Sequence, residues 1–287
     1  MKLVAHQAVA KMHGVGYLSP RPLCGLDELW IGEAGKDENP AHLANRLIER
    51  CLTTGATRSG DNPIVGTLSV AERNRLLLEL RQISYGDDVR TSTACPRCAT
   101  QNELTFRFSE LPFDFGVPEG AEVRLPDGGS AWLCPPTARD QQDLLSEPGL
   151  SDEQRRIALL ARSLVRPDGR EGPFSADEIS GWPPELRSAM FAALDKVLPD
   201  LQCEMSLVCI QCRETITAVF HAGAFFFAEI NQRSKRLLGE VHRIARVYHW
   251  AEQEILALPC PRRLAYLLLI EKEEDALMLR TAGKGRP

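Results

Sequence analysis

Two Cys-x-x-Cys motifs, Cys95-Pro-Arg-Cys98 and Cys209-Ile-Gln-Cys212, constrain this chain more than any other feature. Each is flanked by residues that alternate between apolar and polar. Leu104, Phe106 and Phe108 follow the first motif, and Ile216, Ala218 and Phe220 follow the second. A period of two marks a strand with one buried face. Residues 88–108 and 203–221 therefore each read as strand, tight turn, strand. A CxxC turn puts two sulfurs on one side of a knuckle. Two facing knuckles complete the tetrahedron of thiolates that a structural zinc ion prefers. The sequence predicts one structural zinc held by Cys95, Cys98, Cys209 and Cys212, in a split zinc ribbon.

The spacing is unusual, because 110 residues separate Cys98 from Cys209, where a ribbon has roughly 15–20. Loop closure adds only about 0.6 kcal/mol per doubling of length, so the extra cost is on the order of 1.5 kcal/mol. Structural zinc in small fingers contributes roughly 10–16 kcal/mol. Length does not forbid the site, and an insert that folds by itself would hold its own ends together. Four thiolates leave no open position for water, which argues against catalytic zinc.

Other uses of these cysteines stay open. A redox CxxC sits before a helix, whose N-terminus lowers a thiol pKa, whereas strands follow both motifs here. Two separate sites, or exchange of one ligand for Cys203, Cys134 or His221, are further arrangements. Nine cysteines cannot all pair internally, and paired CxxC motifs in a reducing compartment point to metal. Cys24, Cys51, Cys134, Cys203 and Cys260 read as small buried apolar residues.

Helical signals surround the two motifs. Residues 40–51 place Leu43, Leu47 and Ile48 on one side. Ser69 and Glu72 form a capping box ahead of Leu76, Leu77, Leu80 and Ile83, and Gly86 is placed to stop that helix. Residues 121–134 suggest a hairpin turning at Asp127-Gly128-Gly129. Thr137, the Ser151–Gln154 box and Pro183-Pro184 each mark a helix start. An apolar stripe from Phe227 through Ile230, Leu237, Leu238, Val241 and Ile244 to Tyr248 predicts a long helix. A short helix within 250–258 and a last one from Pro261 to about Leu279 follow. Residues 55–63 read as a loop.

These signals give an α+β fold: a mostly helical body with a split four-cysteine zinc ribbon and an inserted α/β segment. The expected division is an N-terminal helical region at 1–88 and a first half-ribbon at 89–112. An inserted hairpin and helices at 113–200, a second half-ribbon at 201–222 and a C-terminal helical region at 223–287 follow.

Composition narrows the function classes. A formal net charge of -5 argues against a protein built to coat nucleic acid. No stretch approaches the ~20 apolar residues of a membrane span, and the N-terminus has no secretory pattern. No phosphate loop, HExxH, GxSxG or calcium-loop motif is present, so an enzyme is not expected. Glu271, Glu273, Glu274 and Asp275 read as a solvated helix face, and His221, His242 and His249 as structural. The basic run at 233–246 is the one nucleic-acid candidate, through Arg233, Arg236, Arg243 and Arg246. A zinc-ribbon nucleic-acid-binding or regulatory protein is therefore the alternative reading.

The C-terminal third carries a resemblance. Residues 224–230 (AFFFAEI), 236–248 (RLLGEVHRIARVY), His249-Trp250, 254–259 (EILALP) and 262–267 (RRLAYL) resemble the T4-type baseplate hub assembly chaperones of contractile-tailed phages and phage-like contractile injection systems. The likeness extends back to residues 76–86 (LLLELRQISYG) and to both CxxC pairs, over about 70–287. It implies a non-catalytic assembly factor or structural component of a baseplate hub, with baseplate or hub proteins as partners. It implies a place in the cytoplasm or within an assembled tail-like particle. Phe225, Phe226, Tyr248, Trp250 and Tyr266 are the candidate partner-binding residues, and some of the Phe225–Phe227 cluster is expected to touch the ribbon or a partner.

Overall fold

The computed structural model describes residues 18–34, 39–52, 64–113, 120–126, 128–165, 174–198 and 201–283. The N-terminal 17 residues, the 55–63 loop, Asp127 of the hairpin turn and residues 284–287 lie outside the described residues. In chain order the elements begin with helices α1 (Gly25–Glu33), α2 (Pro40–Cys51), α3 (Ile64–Thr67) and α4 (Val70–Tyr85). Strands β1 (Asp88–Ala94), β2 (Gln101–Arg107), β3 (Ala121–Arg124) and β4 (Ser130–Leu133) come next. Then follow α5 (Ala138–Ser146), α6 (Asp152–Ser163), β5 (Leu164–Val165), α7 (Ala176–Ser180) and α8 (Pro184–Val197). The chain continues through β6 (Gln202–Val208), β7 (Thr215–His221), α9 (Ala222–Tyr248), α10 (Glu252–Leu256) and α11 (Cys260–Gly283). The fold is α+β. Among the described residues the strands form three small antiparallel sheets, β1-β2, β3-β4-β5 and β6-β7.

The helix starts obey their local chemistry. Ser69 Oγ accepts from the Glu72 amide at 3.2 Å, and Glu72 Oε2 accepts from the Ser69 amide at 2.8 Å, closing the expected box. Thr137 with Asp140, and Ser151 with Gln154, close two more. Gly86 ends α4 with φ +85°, a left-handed value that costs glycine little. Four helices and the start of α9 enclose the principal core. It holds Leu23, Leu47, Ile48, Leu76, Leu80, Phe226 and Ile230, all nearly or fully buried.

Helix α1 gave no signal in the sequence, because two of its four buried residues are carboxylates, Asp27 and Glu28. Both are fully buried and both are compensated. Asp27 accepts from Arg21, from Arg50 and from the Cys24 amide. Glu28 pairs with Arg263 of α11 and accepts from the Tyr85 hydroxyl at 3.0 Å. Arg263 Nε also donates to Glu240 of α9 at 2.6 Å. One polar junction therefore joins α1, α4, α9 and α11.

The hairpins β1-β2 and β6-β7 stand on a shared apolar base of Leu78, Val89, Phe108, Phe220 and Ala222. Phe106 meets Phe220 edge-on at 5.2 Å across the two hairpins. Arg81, 1% exposed, braces this base. It pairs with Glu229 of α9 at 3.1 Å and donates to the carbonyls of Gly86 and Asp88, at the entry to β1. Its guanidinium also lies 5.0 Å from the Phe108 ring, an arrangement that favours the cation.

Between the hairpins, β3-β4-β5 with α6, α7 and α8 forms a core of its own around Leu133, Leu160, Leu164, Ile179 and Leu194. The third strand, β5, was not anticipated. It pairs Leu164 with Leu133 and Val165 with Trp132, and two residues carry too little period to read. Helix α5 instead packs across α2 and α3 as well as α6. The ends of this stretch return to one place, since Leu111, Phe113 and Leu201 all pack on the apolar base beneath the hairpins.

Helix α9 has 27 residues and so is about 40 Å long. It leaves β7 at the ribbon base, crosses the principal core and ends in a third core. There Leu237, Val241 and Ile244 meet Ile255, Leu256 and Ile270. The stripe read from the sequence is thus shared between separate cores, although Leu238 is 66% exposed. No helix among the described residues is long and apolar enough to cross a membrane.

Candidate metal centre

The two CxxC motifs occupy the turns of the two hairpins, in matching conformations. In the first, the Cys95 amide donates to Thr100 O at 2.9 Å and the Ala99 amide to Cys95 O at 2.9 Å. In the second, the Cys209 amide donates to Glu214 O at 2.8 Å and the Arg213 amide to Cys209 O at 3.1 Å. The residue after each motif is left-handed, Ala99 at φ +58° and Arg213 at φ +62°. Such strain at a non-glycine residue persists only where the surroundings enforce it. Here it points both sulfurs of each turn to the same side.

The hairpins face each other turn to turn. Cys95 Sγ lies 3.6 Å from Cys212 Sγ, and Cys98 Sγ lies 3.6 Å from Cys209 Sγ. All four sulfurs fall within 4.8 Å of one another. A disulfide requires about 2.05 Å, and all nine cysteines are free thiols. A tetrahedron with metal–sulfur bonds of about 2.3 Å has edges of about 3.8 Å, so the observed edges suit a four-thiolate metal site. Four sulfur donors in that shape select zinc or iron among common ions.

The turns favour the thiolate at Cys98 and Cys209. The backbone amide of Cys212, helped by that of Gln211, lowers the Cys209 thiol to about 6. The hydroxyl and amide of Thr100 hold the Cys98 thiol below its usual range. The Glu214 amide pulls Cys212 down, but burial and the three neighbouring sulfurs outweigh it and push that thiol up to about 12. Crowded sulfurs resist collective ionisation, and a bound cation removes that resistance.

Asn102, 1% exposed, is a site residue that sequence reasoning missed. It lies on β2, yet its Oδ1 accepts from the Ile210 amide inside the other knuckle at 2.9 Å. Its Nδ2 donates to Thr100 O at 2.8 Å, fixing the amide plane. The corresponding position of the second hairpin is Ile216, 3% exposed, which packs beside Cys95 and Cys209. The one available signal was positional: Asn102 occupies a buried-face position of an otherwise alternating strand. Outside, Arg97 and Glu214 pair between the knuckles at 3.2 Å.

Among the described residues, no other histidine, cysteine or acidic side chain joins the four-sulfur group. Cys203 is paired with Phe220 near the far end of its hairpin, and His221 is the last residue of β7. Cys134 follows β4 and is outside the four-sulfur group. Cys24, Cys51 and Cys260 are buried as expected, whereas Cys134 and Cys203 are only partly so. No helix starts at either motif, so the dipole a redox CxxC uses is absent there.

The candidate partner-binding residues separate into two groups. Phe226 is fully buried and meets Tyr85 edge-on at 5.9 Å, which makes it a core group with no exposed surface. Phe225 packs on Phe220 of the ribbon at 5.1 Å, the interlayer contact anticipated for this cluster. Tyr248, Trp250 and Tyr266 form a closed aromatic triad with centroids 5.0–5.3 Å apart, partly exposed at the end of α9. The basic run is partly used internally. Arg233 stacks on Tyr85 at 4.1 Å, and Arg243 pairs with Glu274 at 3.0 Å.

A family model described as T4 bacteriophage base plate protein matches residues 27–228. The matched span runs from within α1 through β7, with both knuckles and the whole segment between them, and ends early in α9. It begins well before residue 70, where the sequence resemblance starts, and omits most of the C-terminal segment that carried it. No curated protein and no solved structure matches the chain.

Proposed function

The chain belongs to the T4 bacteriophage base plate protein family, and from that premise we propose that it is a non-catalytic, chaperone-like assembly factor or structural component for the baseplate hub of a phage-like contractile injection system. The observation that carries this reading is the family match across both knuckles and everything between them. A baseplate role makes other baseplate proteins its partners. Their meeting place is the cytoplasm during assembly, or the tail-like particle itself.

In this reading one zinc ion, bound by Cys95, Cys98, Cys209 and Cys212, is structural. It ties the chain before the inserted segment to the chain after it. The clamp is mechanically coupled to the rest: the hairpins share their base with Leu78 of α4, and β7 runs directly into α9. Holding the hairpins together therefore holds the start of α9. At the far end of that helix Tyr248 meets Trp250, just beyond it, and Tyr266 of α11, rigid aromatic groups of the kind that anchor interfaces. We assign the five regions at 1–88, 89–112, 113–200, 201–222 and 223–287 to body, half-ribbon, insert, half-ribbon and presenting helices.

Affinity capture of the tagged chain, from cells that carry the contractile system, tests the role. Recovery of a hub or other baseplate protein is expected, with loss of that partner in a Trp250→Ala, Tyr266→Ala variant that remains folded. Capture without any tail or baseplate component contradicts the reading.

A further inference from the structure

Arg73 is 4% exposed, yet among the described residues its guanidinium bonds only neutral side-chain amides. Nε donates to Asn74 Oδ1 at 2.8 Å, Nη1 to Asn45 Oδ1 at 3.2 Å and Nη2 to Gln141 Oε1 at 2.6 Å. The two other arginines buried to this degree among the described residues have carboxylates, Arg81 with Glu229 and Arg263 with Glu28 and Glu240. Arg73 makes no ion pair among the described residues. A buried cation without a counter-charge is costly. Burial lowers this guanidinium to about 10, so it stays charged at neutral pH.

A cavity of about 700 Å³ opens beside it, between α4, α5 and the end of α8. Its wall includes Arg73, the apolar Leu77, Leu145 and Phe227, and the residues Gly223 and Ala224. Those two residues are the first turn of α9. The helix enters from His221 with no side-chain cap and no acidic residue in that turn. The Ala222 amide is used by Leu201 O, whereas the next amides have no intrahelical acceptor, and the helix dipole adds positive potential there. The acidic group on this wall, Asp195, is already held by Arg156 at 2.8 and 2.9 Å.

We propose that this cavity binds a carboxylate carried on an apolar chain, with the carboxylate between Arg73 and the first turn of α9. One uncompensated charge calls for one anion, and the leucines and Phe227 call for an apolar body behind it. The inference does not rest on the baseplate reading. A peptide from a partner and a free small acid share this chemistry.

Titrating the full chain with paired probes tests it. Hexanoate and N-acetyl-leucyl-leucine carry the carboxylate, and hexanamide and N-acetyl-leucyl-leucinamide are their neutral counterparts. Both acids are expected to raise the unfolding temperature and to shift the Arg73 Nε–H resonance, with both amides inert. Tighter binding of the dipeptide acid identifies a peptide source, and tighter binding of hexanoate a free acid. Arg73→Gln is expected to weaken the acids about tenfold or more, and Arg73→Lys to retain part of the affinity. Equal binding of acids and amides, or no response to any probe, overturns the proposal. The acid–amide comparison uses the unaltered chain, so it decides even if Arg73→Gln does not fold.

Discussion

The side-chain oxygen of Asn102 accepts the backbone proton of Ile210 at 2.9 Å, joining two knuckles whose residues are 108 positions apart. The bond is neutral and part-buried, with Asn102 enclosed and Ile210 at the surface. It couples the halves of the four-sulfur centre by a route that needs no metal. Asn102→Ala is expected to destabilise the protein by about 0.5–1.5 kcal/mol, because it removes a part-buried hydrogen bond between the knuckles. Metal should still bind but leave faster. Chelator-driven release beside thermal unfolding checks this; wild-type kinetics and stability would show that Asn102 is incidental.

Backbone strain at the knuckles yields a prediction of opposite sign. Ala99 and Arg213 are left-handed, which costs a non-glycine residue about 1–2 kcal/mol. Glycine relieves that strain and gives back about 0.4–1 kcal/mol through the freer unfolded chain. Ala99→Gly should therefore be neutral to stabilising by up to about 1 kcal/mol, and Ala99→Val clearly destabilising. Denaturant midpoints of the two variants provide the comparison, and a stabilising valine would contradict the assigned conformation.

Asp27 supplies the pH dependence. Burial by itself would raise its carboxyl, but the hydrogen bonds and charge of Arg21 and the Cys24 amide hold it below the usual carboxylate range. Its folded pKa is depressed, so the unfolded chain binds the proton first. The stabilisation is full above the unfolded value of about 3.9 and is lost as pH falls through the lower folded value. Asp27→Asn should cost about 3 kcal/mol at pH 7, near the low end for a broken buried pair. Arg21 and Arg50 are each about one-third exposed, and water screens them. The difference between variant and wild type should shrink below about pH 4. A difference that is constant with pH would contradict the ion-pair account.

Arg263 should report on the docking of α11. Removing it by Arg263→Ala leaves Glu28 fully buried beside the Tyr85 hydroxyl with no cation. The expected loss is about 3–5 kcal/mol. Amide exchange should rise first in α11 and in α1, the two helices that this pair joins. Exchange that rises only in the inserted segment would contradict the junction.

Much of this architecture was legible because its signals are local. The capping residues Ser69, Thr137 and Ser151, the alternation around the two CxxC turns and the stripe of α9 are each set within a few residues. The four cysteines that meet were legible too, since thiolate pairs in matched turns have few other uses. What escaped depended on distant partners. Helix α1 hides because Asp27 and Glu28 look solvent-facing until Arg21, Arg50 and Arg263 reach them. Asn102 looks like an ordinary strand residue until Ile210 arrives from the other hairpin. Phe226 resembles an exposed anchor in the sequence, and only the packing of α4 on α9 places it in the core. That Arg73 has no carboxylate partner among the described residues is invisible in composition, because nothing local says which arginine will meet one.

The central claim is that a single zinc on Cys95, Cys98, Cys209 and Cys212 clamps the whole body. Zinc per chain, measured together with the unfolding temperature, tests it most directly in wild type and in the double variant Cys95→Ser, Cys209→Ser. The account predicts one zinc per wild-type chain, none in the variant, and a loss of stability that extends into α9. A variant that keeps its zinc and its full thermal stability would contradict it.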